Sequence, residues 1–271
     1  LHVDYINKHS KNLKEEIRLA KAYVKAINVY GAESYINGFS GYVLEVLTIY
    51  YGSFKNLIKN ASKWKLKQVI DPEKYYKDEK EVFNTLSTSK TYSPLILIDP
   101  VQKDRNAAAA LSLEKFTEFV TACKTFSINQ FKEKKFNLNL FKKEATKTNT
   151  TLLTLNIKPK DKIDIFGAKL IKLLNKIKYN LEINDFRIYK CNFYWNKKDN
   201  ALLYFLVFKE DLPKYKKHFG PPVWEHEHCE KFIQKYKSKE IKVENNKLYV
   251  ELERKYIKPE QYFKYLTKEK F

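Results

Sequence analysis

Hydrophobic periodicity changes character once along this 271-residue chain, and that change limits the fold more than any single motif does. Up to about residue 131 the apolar positions recur at helical spacing, and from about 151 they come in strand-length runs. In the first part Leu13, Ile17, Ala20, Val24 and Ile27 mark one face of a helix. Asn12 and Glu15 would open that helix as a capping box, and Gly31 would close it. A second helix is expected over residues 40–51, stopped by Gly52. A third starts near Ser53, with Phe54, Leu57, Ile58 and Ala61 on one face. Residues 94–98 read as a short buried strand before the turn Asp99-Pro100, and a long helix is expected from 112 to 131.

Residues 132–150 are rich in Lys and Asn, with isolated Phe and Leu, and read as a partly ordered connector. Strand, helix, strand, strand, helix and strand follow at 151–157, 165–181, 186–195, 201–209, 225–237 and 247–253, with a turn at 196–200. That order suits a ferredoxin-like or RNA-recognition-like βαββαβ sandwich. The expected class is therefore α+β: a mostly helical domain at 1–131, a connector at 132–150 and a βαββαβ domain at 151–258. Residues 259–271 read as the start of a C-terminal helix or tail that the chain does not finish. The longest apolar run, Ala201–Phe208, is strand-sized and far short of the roughly 20 residues of a spanning helix. No secretory leader is visible, and Cys123, Cys191 and Cys229, odd in number and far apart, fit a reducing cytosol. The sequence begins at Leu1 and holds no Met, which leaves a fragment, a processed product or the second half of a split gene open.

Charge narrows the partners. Lys and Arg number 52 against 32 Asp and Glu, a formal +20. A compositional bias toward Lys accounts for part of the Lys count but not for the imbalance. A field of that size draws polyanions, nucleic acid first and a membrane surface second. The densest motif region runs through Val29-Tyr30-Gly31-Ala32-Glu33, Gly38-Phe39-Ser40-Gly41-Tyr42 and Tyr50-Tyr51-Gly52-Ser53-Phe54. Two glycines three apart before a helix can bring backbone N–H groups to a phosphate; they serve equally in tight turns. Arg18, Lys21 and Lys25 share one face of the first helix, and Lys21 lies about two and a half turns before Tyr30, so one anion could meet both.

Together these runs resemble the central domain of archaeal-type (class I) CCA-adding enzymes, the tRNA nucleotidyltransferases. Asp99-Pro100-Val101 with Arg105-Asn106, Ala108, Ala109, Leu111 and Ser112 resembles that family's next block. Phe219-Gly220-Pro221-Pro222-Val223 with Glu230-Lys231-Phe232 resembles its body domain. The resemblance implies that His2, Lys21 and Tyr30 contact the triphosphate of an incoming nucleotide and that Arg105 reaches the nucleotide site. It implies CTP and ATP as substrates, the acceptor end of tRNA as partner, and a possible homodimer. The family's catalytic head carries a Gly-Ser loop and two carboxylates one residue apart on a strand, which hold Mg. No hydrophobic strand with Asp-x-Asp follows Gly52-Ser53, and Asp71 and Asp78 lie in a polar stretch. The expectation is a chain without that head, the Mg being held by a separate subunit or a deleted domain, and no catalytic or metal residue on this chain. The second reading is a non-catalytic RNA-binding protein derived from such an enzyme.

Two segments carry rival meanings. Glu225-His226-Glu227-His228-Cys229 offers metal-ligand types, but its spacing matches no standard zinc pattern and no second cluster accompanies it. Phe193, Tyr194 and Trp195 could stack bases, although alternation on a strand sends two to one face and one to the other.

Overall fold

The computed structural model describes residues 1–132 and 136–268 of the chain. It divides into two compact units, Leu1–Phe136 and Asn137–Phe271. Of the expected connector, residues 133–135 lie outside the described residues, as do residues 269–271 of the expected tail.

The first unit runs through helices α1 (His2–His9), α2 (Lys14–Ala26), α3 (Gly41–Tyr51) and α4 (Phe54–Ala61), strand β1 (Gln68–Ile70), helix α5 (Glu79–Thr85), strands β2 (Leu95–Asp99) and β3 (Gln102–Asn106), and helix α6 (Leu113–Lys124), with a 3-10 turn at Ile128–Phe131. Its core gathers Tyr23 and Val24 from α2, Leu44 and Leu47 from α3, Leu57 from α4 and Phe119 from α6. Tyr23 sits at the centre, fully buried, its ring against Phe54, Phe126 and Phe131 and its hydroxyl donating to Gln130 at 3.0 Å. Burial pushes that phenol above its ordinary pKa.

The three strands form one small sheet in which β2 pairs in parallel with β1 and antiparallel with β3. All five residues of β2 are buried. Leu95 and Leu97 face the main helical core, and Ile96 and Ile98 face a second cluster with Val82 and Leu86. A strand covered on both faces needs a continuous apolar run, and Leu-Ile-Leu-Ile supplies it.

Helix boundaries follow local chemistry, with three departures from expectation: the helix expected over 112–131 stops at Lys124, before the 3-10 turn, and the other two lie at the ends of α2. Ser40 caps α3 by accepting from Val43 N, and Gly52, at φ 74°, stops it. Ser53 then caps α4, so Gly52-Ser53 is a helix–helix joint. Asn12 does not cap α2: the cap position is Leu13, with no side-chain bond. Glu15 turns to Arg18, and Glu16 reaches across to accept from the Phe54 amide at 2.7 Å, closing the N-terminus of α4. Nor does Gly31 end α2. Asn28, at φ 60°, takes the left-handed turn three residues earlier, as Asn tolerates that conformation.

The second unit contains α7 (Leu138–Lys147), β4 (Thr150–Ile157), α8 (Ile163–Ile183), β5 (Ile188–Trp195), β6 (Ala201–Phe208), β7 (Tyr215–Pro222), α9 (His226–Lys235), β8 (Ile241–Glu244), β9 (Lys247–Glu253) and α10 (Pro259–Lys268). The α+β class holds, but the strands divide between two sheets, in the orders β4-β6-β5 and β7-β9-β8, where a single sandwich sheet was expected. The reason is β7, a strand hidden in a Lys-rich run ending Gly220-Pro221-Pro222. Proline is tolerated on an edge strand, where its missing N–H faces no partner, and β7 pairs only with β9. Central β6 is buried on both faces. Leu203, Phe205 and Val207 meet α8 and Tyr262 and Phe263 of α10, while Tyr204 meets Phe141 of α7 at 4.3 Å. So within residues 132–150 a helix forms, its Leu138, Phe141 and Ala145 keeping helical spacing in a Lys- and Asn-rich background.

Asn106 closes the β2–β3 hairpin. Its buried amide oxygen accepts from Leu97 N at 3.0 Å and Ala108 N at 2.9 Å, while its nitrogen donates to Lys90 O, Ser93 Oγ and Leu95 O at 2.9–3.2 Å. Asn106→Ala strands two buried amides and three acceptors and should lower the unfolding free energy of the first unit by about 3 kcal/mol. Urea titration reads this as a lower midpoint at unchanged slope.

Candidate anion-binding site

The first turn of α3 is the meeting point. By position the Gly41 and Tyr42 amides have no acceptor within the helix, and the helix N-terminus carries a partial positive charge. Leading into that turn, residues 29–39 form a loop pinned at its neck. Gly31 N donates to Phe39 O at 2.8 Å, Gly38 N to Gly31 O at 2.7 Å and Phe39 N to Val29 O at 2.8 Å. A Cβ on Gly38 would lie 2.2 Å from the Val29 carbonyl oxygen, so only glycine lets the two strands of the neck approach.

The neck aims Tyr30 at α3. A Cβ built on Gly41 would sit 3.1 Å from the Tyr30 hydroxyl and 3.8 Å from Lys21 Nζ, so both polar tips lie at the start of the helix. The Tyr30 hydroxyl has no hydrogen-bond partner among the described residues. Lys21 is half-buried and paired with Glu45 Oε1 at 2.6 Å, which leaves two of its three N–H donors without an acceptor among the described residues. Glu45 lies one helical turn after Gly41, on the same side of α3. Lys25, which shares a helix face with Arg18 and Lys21, places its ammonium 4.8 Å over the Tyr30 ring. Arg18 remains exposed and paired only with Glu15.

One residue on, Tyr42 serves a second cluster. Its hydroxyl donates to Asp99 Oδ1 at 2.8 Å, and Val101 N donates to the same oxygen at 3.0 Å. Asp99 Oδ2 lies 2.8 Å from Arg105 Nη1 and 3.0 Å from His2 Nε2. The His2 ring meets the Tyr42 ring edge-on at 5.0 Å. The Asp99 side chain is 0% exposed, while His2 and Arg105 are 43% and 47% exposed. Burial alone would raise the Asp99 pKa, but the Val101 amide, the Tyr42 hydroxyl and His2 outweigh it and hold the carboxyl below its ordinary value. The Tyr42 phenol is driven the other way, by burial and by donation to a carboxylate. Tyr75, its hydroxyl on Pro100 O at 2.7 Å, braces the adjoining turn.

His2, Lys21, Tyr30 and Arg105 thus come from α1, α2, the pinned loop and β3 to two consecutive residues of α3. Glu45, Tyr42 and Asp99 were assigned no role from sequence. Tyr42 and Asp99 appeared there only as members of a glycine motif and of a turn, and Glu45, an acid one turn after Gly41, was passed over. Chemically the site offers ammonium, imidazole, guanidinium, phenol and helix amides, a set of donors that suits a multiply charged anion. Among the described residues no three His, Cys, Asp or Glu side chains are grouped to hold a metal ion, and both oxygens of the buried Asp99 carboxylate are taken by donors. Asp71 accepts from Tyr76 N, and Asp78 caps α5. In the second unit His226 opens α9, and Cys229 is buried with its thiol on Pro222 O. Phe193 and Trp195 pack into the core beside β6, whereas Tyr194 is 37% exposed. No helix among the described residues is long and apolar enough to cross a membrane.

Comparison with known proteins matches both units. Residues 15–137 match the model of the tRNA nucleotidyltransferase second domain, and residues 149–270 match that of the CCA-adding enzyme C-terminal domain. The CCA-adding enzyme of Nanoarchaeum equitans is 38% identical over 249 residues, covering 92% of this chain and 60% of that protein. That of Methanosarcina barkeri is 33% identical over 267 residues, covering 94% and 56%. That of Pyrobaculum islandicum is 32% identical over 262 residues, covering 94% and 58%. The chain therefore spans somewhat over half the length of the curated relatives it matches.

The depressed pKa of Asp99 sets a sign for acid. A carboxyl that titrates lower when folded adds stability that is complete above the unfolded value of about 4 and fades as pH falls through the folded value. Asp99→Asn should therefore be less stable than the wild type at about pH 6, with the gap narrowing at about pH 3. A gap that urea titrations find independent of pH would show that the carboxylate charge is not what the cluster stabilises.

Proposed function

The chain belongs, through its two matched domains, to the CCA-adding enzyme family, and from that premise we propose that it grips the triphosphate of CTP or ATP and the acceptor end of tRNA during addition of C, C and A. The observation that carries this reading is the convergence of Lys21, Tyr30, His2 and Arg105 on the first turn of α3. In the reaction the terminal 3′-hydroxyl of the tRNA attacks the α-phosphorus in line and pyrophosphate leaves. This chain's part is to bind and orient. Lys21 and the Tyr30 hydroxyl take phosphate oxygens at the helix N-terminus, and His2 and Arg105 take charge on the other side of the same turn. The carboxylates that hold Mg lie outside these 271 residues, on a head domain or subunit, and supply the metal chemistry when present.

The net charge of +20 supports the tRNA side of the reading. Binding led by phosphate contacts releases counterions, so tRNA affinity should fall roughly a hundredfold or more between about 50 and 200 mM salt. An affinity flat over that range would point to another partner.

The triphosphate assignment has its own test. In the chain combined with a family head domain, Lys21→Ala should lower kcat/KM for CTP and ATP alike by about ten- to hundredfold, because both carry the same triphosphate. Tyr30→Phe should act more mildly, losing one hydroxyl and keeping the ring. Arg18→Ala is the control, since Lys25 touches Tyr30. An effect of Lys21→Ala confined to one nucleotide, or matched by Arg18→Ala, overturns the assignment. A chain that binds tRNA in salt-dependent fashion but gains no transferase activity with any head supports the RNA-binding alternative.

A further inference from the structure

We infer that Asp99 is the positioning residue of the site, directing His2 and Arg105 through one oxygen while its other oxygen holds the surrounding fold. The inference rests on the triphosphate reading of those two residues.

The two oxygens divide the work. Oδ1 accepts from the Tyr42 hydroxyl and the Val101 amide, which are contacts of α3 and of the turn after β2. Among the described residues Oδ2 meets only His2 Nε2 and Arg105 Nη1. A carboxylate can only accept, so His2 must carry a proton on Nε2. The 3.2 Å approach of Arg105 Nη1 to His2 Nε2 is then two donors side by side on one acceptor. Fixing Nε2 on Asp99 leaves His2 Nδ1 without a partner among the described residues. Fixing Nη1 inward leaves Arg105 Nε and Nη2 without partners among the described residues. Each side chain therefore keeps one nitrogen on Asp99, and Arg105 keeps further N–H donors for a ligand. With Asp99 buried, water cannot replace the acceptor. Without it, two half-exposed side chains would have to be ordered by the ligand itself, at a cost in affinity.

An opposing effect exists. The Asp99 charge repels an anion, and removing it favours binding. Asp99 is buried, so salt screens that repulsion little; the repulsion acts whether or not His2 and Arg105 are present, whereas the loss of orientation needs both. The inference requires the orientation effect to be the larger of the two.

The test uses the full 271-residue chain and inorganic tripolyphosphate, titrated calorimetrically at about 0.15 M salt. Asp99→Asn keeps a carbonyl oxygen for Tyr42 and Val101 and puts an NH2 group where Oδ2 was. It should keep the native near-UV spectrum and weaken tripolyphosphate binding about tenfold. In the His2→Ala/Arg105→Gln background the same change should alter affinity by less than about twofold. A purely structural role would weaken binding equally in both backgrounds and overturns the inference, as does unchanged or tighter binding by Asp99→Asn alone. If Asp99→Asn does not fold, the wild-type His2 ring decides: its 15N shifts should show Nε2 protonated, and a neutral Nδ1–H tautomer overturns the inference. Lys21→Ala separates the two levels. Should it weaken binding while Asp99→Asn does not, the inference fails and the triphosphate reading stands. Should neither Lys21→Ala nor the His2→Ala/Arg105→Gln pair weaken binding, the reading fails and takes the inference with it.

Discussion

Asp99 is withdrawn from water at the end of a strand that is itself covered on both faces. A carboxylate is tolerable there only when its oxygens are saturated with donors. Those donors come from α1, α3, the turn after β2, and β3, so satisfying one buried charge draws four segments of the chain to one point. Asn106, seven residues on, does the same with a neutral amide and five hydrogen bonds. Between them the two residues hold both ends of the short hairpin that carries Arg105. The site is thus a by-product of polar groups that have to be satisfied inside the first unit.

Helix α3 links that hairpin to the rest. Consecutive residues point about 100° apart around a helix, so Gly41 and Tyr42 address different neighbours from one peptide. Gly41 leaves room for the Lys21 ammonium and the Tyr30 hydroxyl, and Tyr42 reaches Asp99. The Lys21–Glu45 pair fixes α2 against the same helix. A polyanion laid across that turn would find its donors already oriented by packing.

How much of this was legible in the sequence depends on the range of the interactions. Ser40 and Gly52 bounded α3 correctly because capping is local chemistry, read within four residues. The cap of α2 was misread because Leu13 takes the cap position and Glu15 pairs with Arg18, while Glu16 spends its carboxylate on an amide 38 residues away, a contact that no local pattern records. The β7 strand was missed because its edge position, which excuses two prolines, is a tertiary fact. The helix at Leu138–Lys147 was hidden by a Lys- and Asn-rich background that masks three well-spaced apolar residues. At the site, the exposed donors were visible through their resemblance to a family. The groups around them were not: Asp99 looked like a turn residue, Tyr42 like part of a glycine motif, and Lys25 like one more charge on the basic face of the first helix.

The pinned neck at residues 29–39 has a consequence for how this region can vary. Its three backbone bonds fix the entry of Tyr30 and the exit into Ser40, while Ala32, Glu33 and Ser34 at the tip are exposed. Lengthening a loop whose ends are already tied costs free energy only as the logarithm of its length. Residues inserted at the tip would therefore be absorbed without moving Tyr30, and a shortening that removed Gly38 would not. Length polymorphism among relatives is expected to collect at residues 32–34, with the neck kept at constant length.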